Sequence, residues 1–395
     1  MRLPRGFLAS GVRAGIRKDK KRLDLALLVA SRGANAAALF TRNRFQAAPV
    51  VLGARDLERS GGRVRAVVVN AGCANAITGA PGMDSARRVR DCAAALLGCP
   101  KEEVLVSSTG VIGVLLPDAK IRAALPDAKA RLSASGLEAA SHAILTTDVG
   151  PKVAQASFVI AGRRGRVVGV AKGAGMIHPN MATMLAFVMT DAAASPAYLK
   201  ATLRAAAEES FNAISVDGDT STNDTLLVMA SGEMGGRELR KPGEGAAFRA
   251  ALTKVCRALA WMMVRDGEGA TRVLEISIVG AHNAIEAKAA AHAIATSPLV
   301  KTALSGGDPN WGRILAAVGR SGARLSPTRV SLTLGPLTLV KNGLPAKYSE
   351  SRAERIFSRE RVPIVVDLGA GKAKARKLSC DLGHAYVSVN ADYRS

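Results

Sequence analysis

The sequence predicts a mixed α/β protein, and three observations predict it. Apolar runs of strand length alternate along the chain with longer Ala-rich stretches of helical period. Of the 395 residues, 48% are hydrophobic and 22% charged, a globular balance that excludes wholesale disorder. Turn-rich polar segments punctuate the chain, yet no low-complexity linker or internal repeat divides it. On a prior of ~150 residues per domain, this length suggests two or three lobes.

Taken in order, the first apolar run covers 25–30, far short of the ~20 residues that cross a bilayer. The basic stretch ahead of it lacks the apolar core and small-residue cleavage site of a signal peptide. Strands are expected over 64–70, 104–107, 154–161, 167–171 and 184–190, and later over 225–229, 273–279, 330–334, 364–366 and 386–389. Helices are expected over 85–97 and 197–210, opened by Asp84 and Ser195 as caps, and over 248–264 and 284–295. The KPGEGA stretch at 241–246 is a turn between elements, not a domain linker.

The five cysteines, Cys73, Cys92, Cys99, Cys256 and Cys380, are odd in number and lack CxxC spacing. That excludes a zinc ribbon and a secreted disulfide framework, and it fits a reduced, cytoplasmic compartment with no membrane partner. The net charge of +23 invites a nucleic-acid reading. Only 4% of residues are aromatic, however, and the densest basic groups, at 17–22 (RKDKKR) and 163–166 (RRGR), sit between apolar segments where solvated loops belong. Nucleic acid is therefore not the expected partner. His142, His178, His282, His292 and His384 show no metal spacing and read as structural, so no metal is expected.

Chemistry concentrates in residues 169–191, GVAKGAGMIHPNMATMLAFVMTD. A Gly-Ala-Gly turn leads through Pro179, which excludes helix, to Thr183 at the head of an apolar strand. A threonine hydroxyl is a weak nucleophile without an adjacent base. Cutting the chain just before it, at Ala182-Thr183, would free an α-amine to act as that base. With a reference pKa of ~7.7–8.0, such an amine is well matched to proton transfer near neutral pH. A plain Gly turn before a core strand accounts for the same residues, and the residues alone leave both readings open.

Other segments are hard to explain by packing alone. At 107–113, SSTGVIG offers a hydroxyl and a backbone N–H, from Thr109 and Gly110, that could converge on one oxygen as an oxyanion hole demands. Asn70 to Gly79 is rich in small and amide residues, and Thr146-Thr147-Asp148 follows a helical stretch. The 217–225 loop, DGDTSTNDT, places Thr222 and Val228 where a calcium loop needs Gly and Glu, so turn chemistry is the better account. The glycines at 369 and 371 lack the upstream Gly of a P-loop, and no GxSxG elbow occurs.

Together, KGAGMIHPNMATMLAF, SVDGDTSTNDT, RDGEGAT, SPLVKTA, DPNWGRI and the terminal NADYRS resemble, in order, the motifs of the ornithine acetyltransferase family. These are bifunctional glutamate N-acetyltransferases of arginine biosynthesis, and the likeness runs from Gly6-Phe7 to the last residue. The resemblance implies an autoprocessed N-terminal-Thr-nucleophile fold of the ornithine acetyltransferase/DmpA-like type, with mixed sheets and flanking helices. It implies self-cleavage between Ala182 and Thr183 into an α chain (1–182) and a β chain (183–395), assembled as an α2β2 heterotetramer. It assigns Thr183 as nucleophile and Thr109 with Gly110 as the oxyanion hole. Thr146, Lys172, Thr183, Glu268, Asn390 and Ser395 become the substrate-binding positions. The substrates it implies are N-acetylornithine and glutamate, with no bound cofactor and with acetyl-CoA as a possible co-substrate. An autoprocessed aminopeptidase or amidase of related fold, which would pass the acyl group to water, is the alternative. Two departures stand out: Cys73 where the family usually has Asn, and a terminal Ser395 where Thr is frequent.

Overall fold

Residues 1–178 and 184–392 are described by the computed structural model. They divide into two units, Met1–Asn212 with Asp219–Met263 and Ala213–Gly218 with Val264–Arg394. The first unit opens with β1 (Phe7–Val12), β2 (Leu25–Phe40), α1 (Ala48–Arg59), β3 (Arg63–Cys73), α2 (Gly79–Leu97) and β4 (Val104–Val111). It continues through α3 (Asp118–Ala130), α4 (Leu137–Ala143), β5 (Lys152–Ile160), β6 (Arg163–Lys172), β7 (Leu185–Thr190) and α5 (Pro196–Glu208). After β8 (Ile214–Ser215), which belongs to the second unit, the chain returns for β9 (Thr225–Ala230) and α6 (Ala246–Arg265).

Its sheet runs β4-β3-β2-β9-β7-β6-β5, with β1 paired to β2. The unbroken apolar run at the start of β2 reflects burial on both faces. Leu25, Leu27 and Val29 pack with Leu52 of α1, Val89 of α2 and Ile121 of α3. Ala26, Leu28 and Ala30 turn to the other face, with Leu137 and Ala140 of α4, Phe187 and Leu227. Period-two alternation thus builds two cores from one strand. At the centre, β7 and β9 pair in parallel, Leu185 opposite Thr225, and both are buried throughout.

The second unit adds β10 (Val273–Ala281), α7 (Ala284–Ala295), α8 (Pro298–Gly306), α9 (Trp311–Gly319), β11 (Ser331–Leu334), β12 (Leu337–Lys341) and β13 (Leu344–Pro345). It ends with α10 (Glu350–Phe357), β14 (Arg361–Asp367), β15 (Ala373–Cys380) and α11 (His384–Asp392). Its sheet runs β13-β12-β11-β14-β10-β15-β8. Here β10 alternates: Leu274, Ile276 and Ile278 enter a core with Ala287, Ala291 and Ile294 of α7, while Glu275 and Ser277 are only half-buried.

Three expectations from the sequence are corrected. The 386–389 segment is not a strand: it lies within α11. Its alternating valines suggested period two, but Val387 and Val389 are exposed, and a helix satisfies its backbone internally where no sheet partner is at hand. Helix α2 starts at Gly79, six residues before Ser85. Pro81 sits in its first turn, where no N–H is needed, and Asp84 pairs with Arg87 and caps nothing. The RRGR group is not a loop but opens β6, following a tight turn in which Ala161 and Gly162 both take positive φ (48° and 74°). Ser195 does cap its helix, accepting from the Tyr198 N–H.

Candidate active site

In the first unit, Thr109 and Gly110 lie near the end of β4, on the segment paired in parallel with β3. The register slips at Gly72/Cys73, so that Cys73 faces both Thr109 and Val111. Irregularities of this kind re-aim backbone groups beside active sites. Gly110 has φ 129°, and a Cβ there would come within 2.4 Å of the Gly72 carbonyl carbon, so only glycine fits. Behind this pair lies a buried amide scaffold. Asn223 Nδ2 donates to the carbonyls of Ala74 (2.7 Å) and Ser108 (2.9 Å). Ser108 Oγ donates to Asn70 Oδ1 (2.6 Å), and Asn70 Nδ2 donates to the Cys73 carbonyl (2.9 Å). The Cys73 thiol itself donates to the Val114 carbonyl, and burial pushes its pKa up, so it stays neutral.

Lys172, the last residue of β6, carries its ammonium to this end of the sheet and is 4% exposed. Its Nζ donates to Thr146 Oγ1 (2.7 Å) and Thr109 Oγ1 (3.2 Å). It is therefore Thr146, not the adjacent Thr147, whose hydroxyl joins the cluster. Because Thr109 Oγ1 accepts from an ammonium, its own proton points elsewhere, ready to donate.

Asp148 holds the group together. Its Oδ1 accepts from Lys152 Nζ (2.7 Å) and the Gly173 N–H (2.6 Å), and its Oδ2 from the Thr146 N–H (3.0 Å), with Lys172 Nζ at 3.9 Å. Burial alone would raise this carboxyl. Lys172 and Lys152 outweigh burial and, with the Lys152 and Thr146 hydrogen bonds, hold it well below the usual carboxylate range. The Asp148–Lys152–Lys172 trio therefore places two cations beside one carboxylate in a buried place, a setting suited to an anionic ligand group or a developing oxyanion.

A second buried carboxyl behaves oppositely. Asp224, just before β9, is 1% exposed and accepts the Met184 N–H on Oδ1 at 2.9 Å. Burial drives its pKa well above the ordinary 3.8, against the Met184 hydrogen bond and the Lys172 charge. Asp148, Lys152, Asn223 and Asp224 belong to segments that read as turns. Their burial is not written in residue type, so sequence reasoning missed them. Four carboxyls and an amide packed into Thr146–Asp148 and Asp217–Thr225 were the available signal.

In the second unit, Glu268 and Asn390 meet: Asn390 Nδ2 donates to Glu268 Oε2 at 2.9 Å. Gly269 permits this, since a Cβ there would lie 2.4 Å from the Tyr386 nitrogen of α11. Ala182, Thr183 and Ser395 lie outside the described residues. Among the described residues no group of three or more His, Cys, Asp or Glu could hold a metal ion. No helix among them is long and apolar enough to cross a membrane.

The family model described as the ArgJ family matches residues 8–395. An "Arginine biosynthesis bifunctional protein ArgJ" from Chlorobaculum tepidum is 46% identical over 392 residues, covering 99% of this chain and 96% of its own. A protein of the same name from Thermus thermophilus is 49% identical over 393 residues, covering 100% and 99%. The crystal structure of arginine biosynthesis bifunctional protein argJ from Bacillus halodurans superposes with a TM-score of 0.51 at 41% identity, covering 52% of this chain and 98% of that one.

Buried cations and hydroxyls gathered at a strand end suit an acyl-transfer site, and the bifunctional ArgJ relatives make the class an acyltransferase. The matches across essentially the whole chain make the assignment particular: this chain belongs to the ArgJ family. It is an acetyltransferase of arginine biosynthesis acting on small molecules.

Proposed function

We propose that the chain cuts itself between Ala182 and Thr183 and then carries acetyl from N-acetylornithine to glutamate on Thr183 Oγ. The freed Thr183 amine takes the hydroxyl proton as Oγ attacks the acetyl carbonyl. The Thr109 hydroxyl and Gly110 N–H stabilise the oxyanion, a donor of this kind being worth ~2.7–4 kcal/mol. Ornithine leaves with the proton, glutamate enters, and its amine collects the acetyl group in a ping-pong cycle. Self-cleavage reuses the hydroxyl: Oγ attacks the Ala182 carbonyl, the C–N bond breaks, the proton passes to the freed nitrogen, and water hydrolyses the ester.

The observation that carries this reading is the Lys172 ammonium bound to both Thr109 and Thr146 hydroxyls, which polarises Thr109 as a donor. Lys172 and Thr146 also serve the α-carboxylate shared by both amino acids. Glu268, Asn390 and Ser395 serve the cationic end of ornithine. The cleavage products assemble as α2β2 in the cytoplasm. The cycle needs no metal or bound cofactor, and acetyl-CoA serves as an alternative acetyl donor.

Incubation with N-acetylornithine and glutamate tests this directly. Equal amounts of ornithine and acetylglutamate are expected. Release of acetate in their place would assign the chain to the amidase alternative. Acetylglutamate formed from acetyl-CoA and glutamate alone tests the second donor.

A further inference from the structure

Asp224 is a buried acid used on one side only. Its Oδ1 takes the Met184 N–H, whereas Oδ2 has no hydrogen-bond partner among the described residues, although the Thr41 and Ser221 hydroxyls and the Lys172 charge lie around it. Leaving a buried polar atom unmatched costs free energy, so natural cores rarely keep one without a purpose. Met184 is gripped at both ends: its carbonyl accepts the Thr225 N–H at 3.0 Å, in line with the parallel β7–β9 pairing. A backbone carbonyl on β9 would normally receive an N–H at this place in the ladder. Here a side-chain carboxyl does so. The nitrogen it grips is joined to the carbonyl carbon of Thr183 by a bond of about 1.33 Å.

We infer that Asp224 is a positioning residue for the Thr183 nucleophile. By holding the Met184 N–H it anchors the peptide that joins Met184 to Thr183, the residue whose hydroxyl the mechanism uses. The inference rests on the Thr183 mechanism proposed above. It reaches past that mechanism to a residue outside the oxyanion pair and the substrate contacts.

Asp224→Ser and Asp224→Asn test it together, because serine withdraws the acceptor of the Met184 N–H whereas an amide of the same shape still supplies it. Wild type, Asp224→Asn, Asp224→Ser and Thr183→Ala are expressed in parallel and followed by denaturing mass spectrometry, thermal unfolding and steady-state kinetics. Loss of the clamp in Asp224→Ser is expected to slow cleavage and kcat by roughly 10²-fold, with KM near the wild-type value. Asp224→Asn, which keeps the acceptor, should cleave and turn over within a few-fold of wild type. A fall in kcat at unchanged KM, restored by the amide, is what a merely structural residue would not produce. Wild-type cleavage and turnover in folded Asp224→Ser, or an Asp224→Asn as slow as Asp224→Ser, would overturn the inference. So would failure of both variants to fold, which would assign Asp224 to the core alone. A wild type that never cleaves would instead remove the Thr183 mechanism, a result distinct from either.

Discussion

Asp148→Asn keeps the shape of a side chain that is 2% exposed and removes its charge. Lys152 and Lys172 are then left as two buried ammonium groups without their common carboxylate. The new amide also turns its NH2 either toward the donors of Lys152 and Gly173 or toward that of Thr146. Removing one partner of a buried ion pair costs about 3–5 kcal/mol. At ~2–4 °C per kcal/mol, unfolding of the first unit should fall by roughly 6–20 °C. The assay is thermal unfolding followed by circular dichroism across pH. Because Asp148 titrates lower folded than unfolded, its contribution is present above the ordinary 3.8 and lost as pH drops below it. The gap between wild type and variant should therefore be full at pH 7 and close only in acid. A double variant, Asp148→Asn with Lys152→Met, should recover part of the loss. A melting temperature within 2 °C of wild type at pH 7 would refute the claim that Asp148 is the counter-charge of the cluster.

Thr109→Val keeps the branched shape and deletes the hydroxyl, so kcat should fall about 10²–10³-fold with KM little changed. Unchanged turnover in steady-state assays would remove Thr109 from the site. Lys172→Ala should raise KM for both N-acetylornithine and glutamate, because its carboxylate partner is common to the two, and should also lower kcat through Thr109. An effect on one substrate alone would overturn the carboxylate assignment.

Much of the core was legible in the sequence because burial on both faces leaves continuous apolar runs, as in β3 and β7. The second half of β2 was not: Ser31-Arg32-Gly33 breaks the run, Gly33 takes φ 78°, and the Ala-rich residues after it have little strand propensity. Tertiary pairing with β9 imposes the strand there. For α11 the alternation was real but without consequence, since neither valine is buried. At the site, motifs gave Thr109, Gly110, Thr146 and Lys172, which the fold gathers at one sheet end, and Glu268 with Asn390, which it joins in the second unit. Asp148 and Asp224 stayed hidden because a carboxylate in a turn-rich segment is ordinarily solvated. Only three-dimensional packing reveals that two lysines lower the pKa of one while burial raises that of the other.

Denaturing mass spectrometry after incubation with N-acetylornithine alone tests the central claim most directly. Two polypeptides should appear, the second beginning at Thr183 and heavier by one acetyl group, and added glutamate should discharge that group. Thr183→Ala should remain a single unacetylated chain. A wild type that stays uncut yet transfers acetyl at full rate would contradict the account.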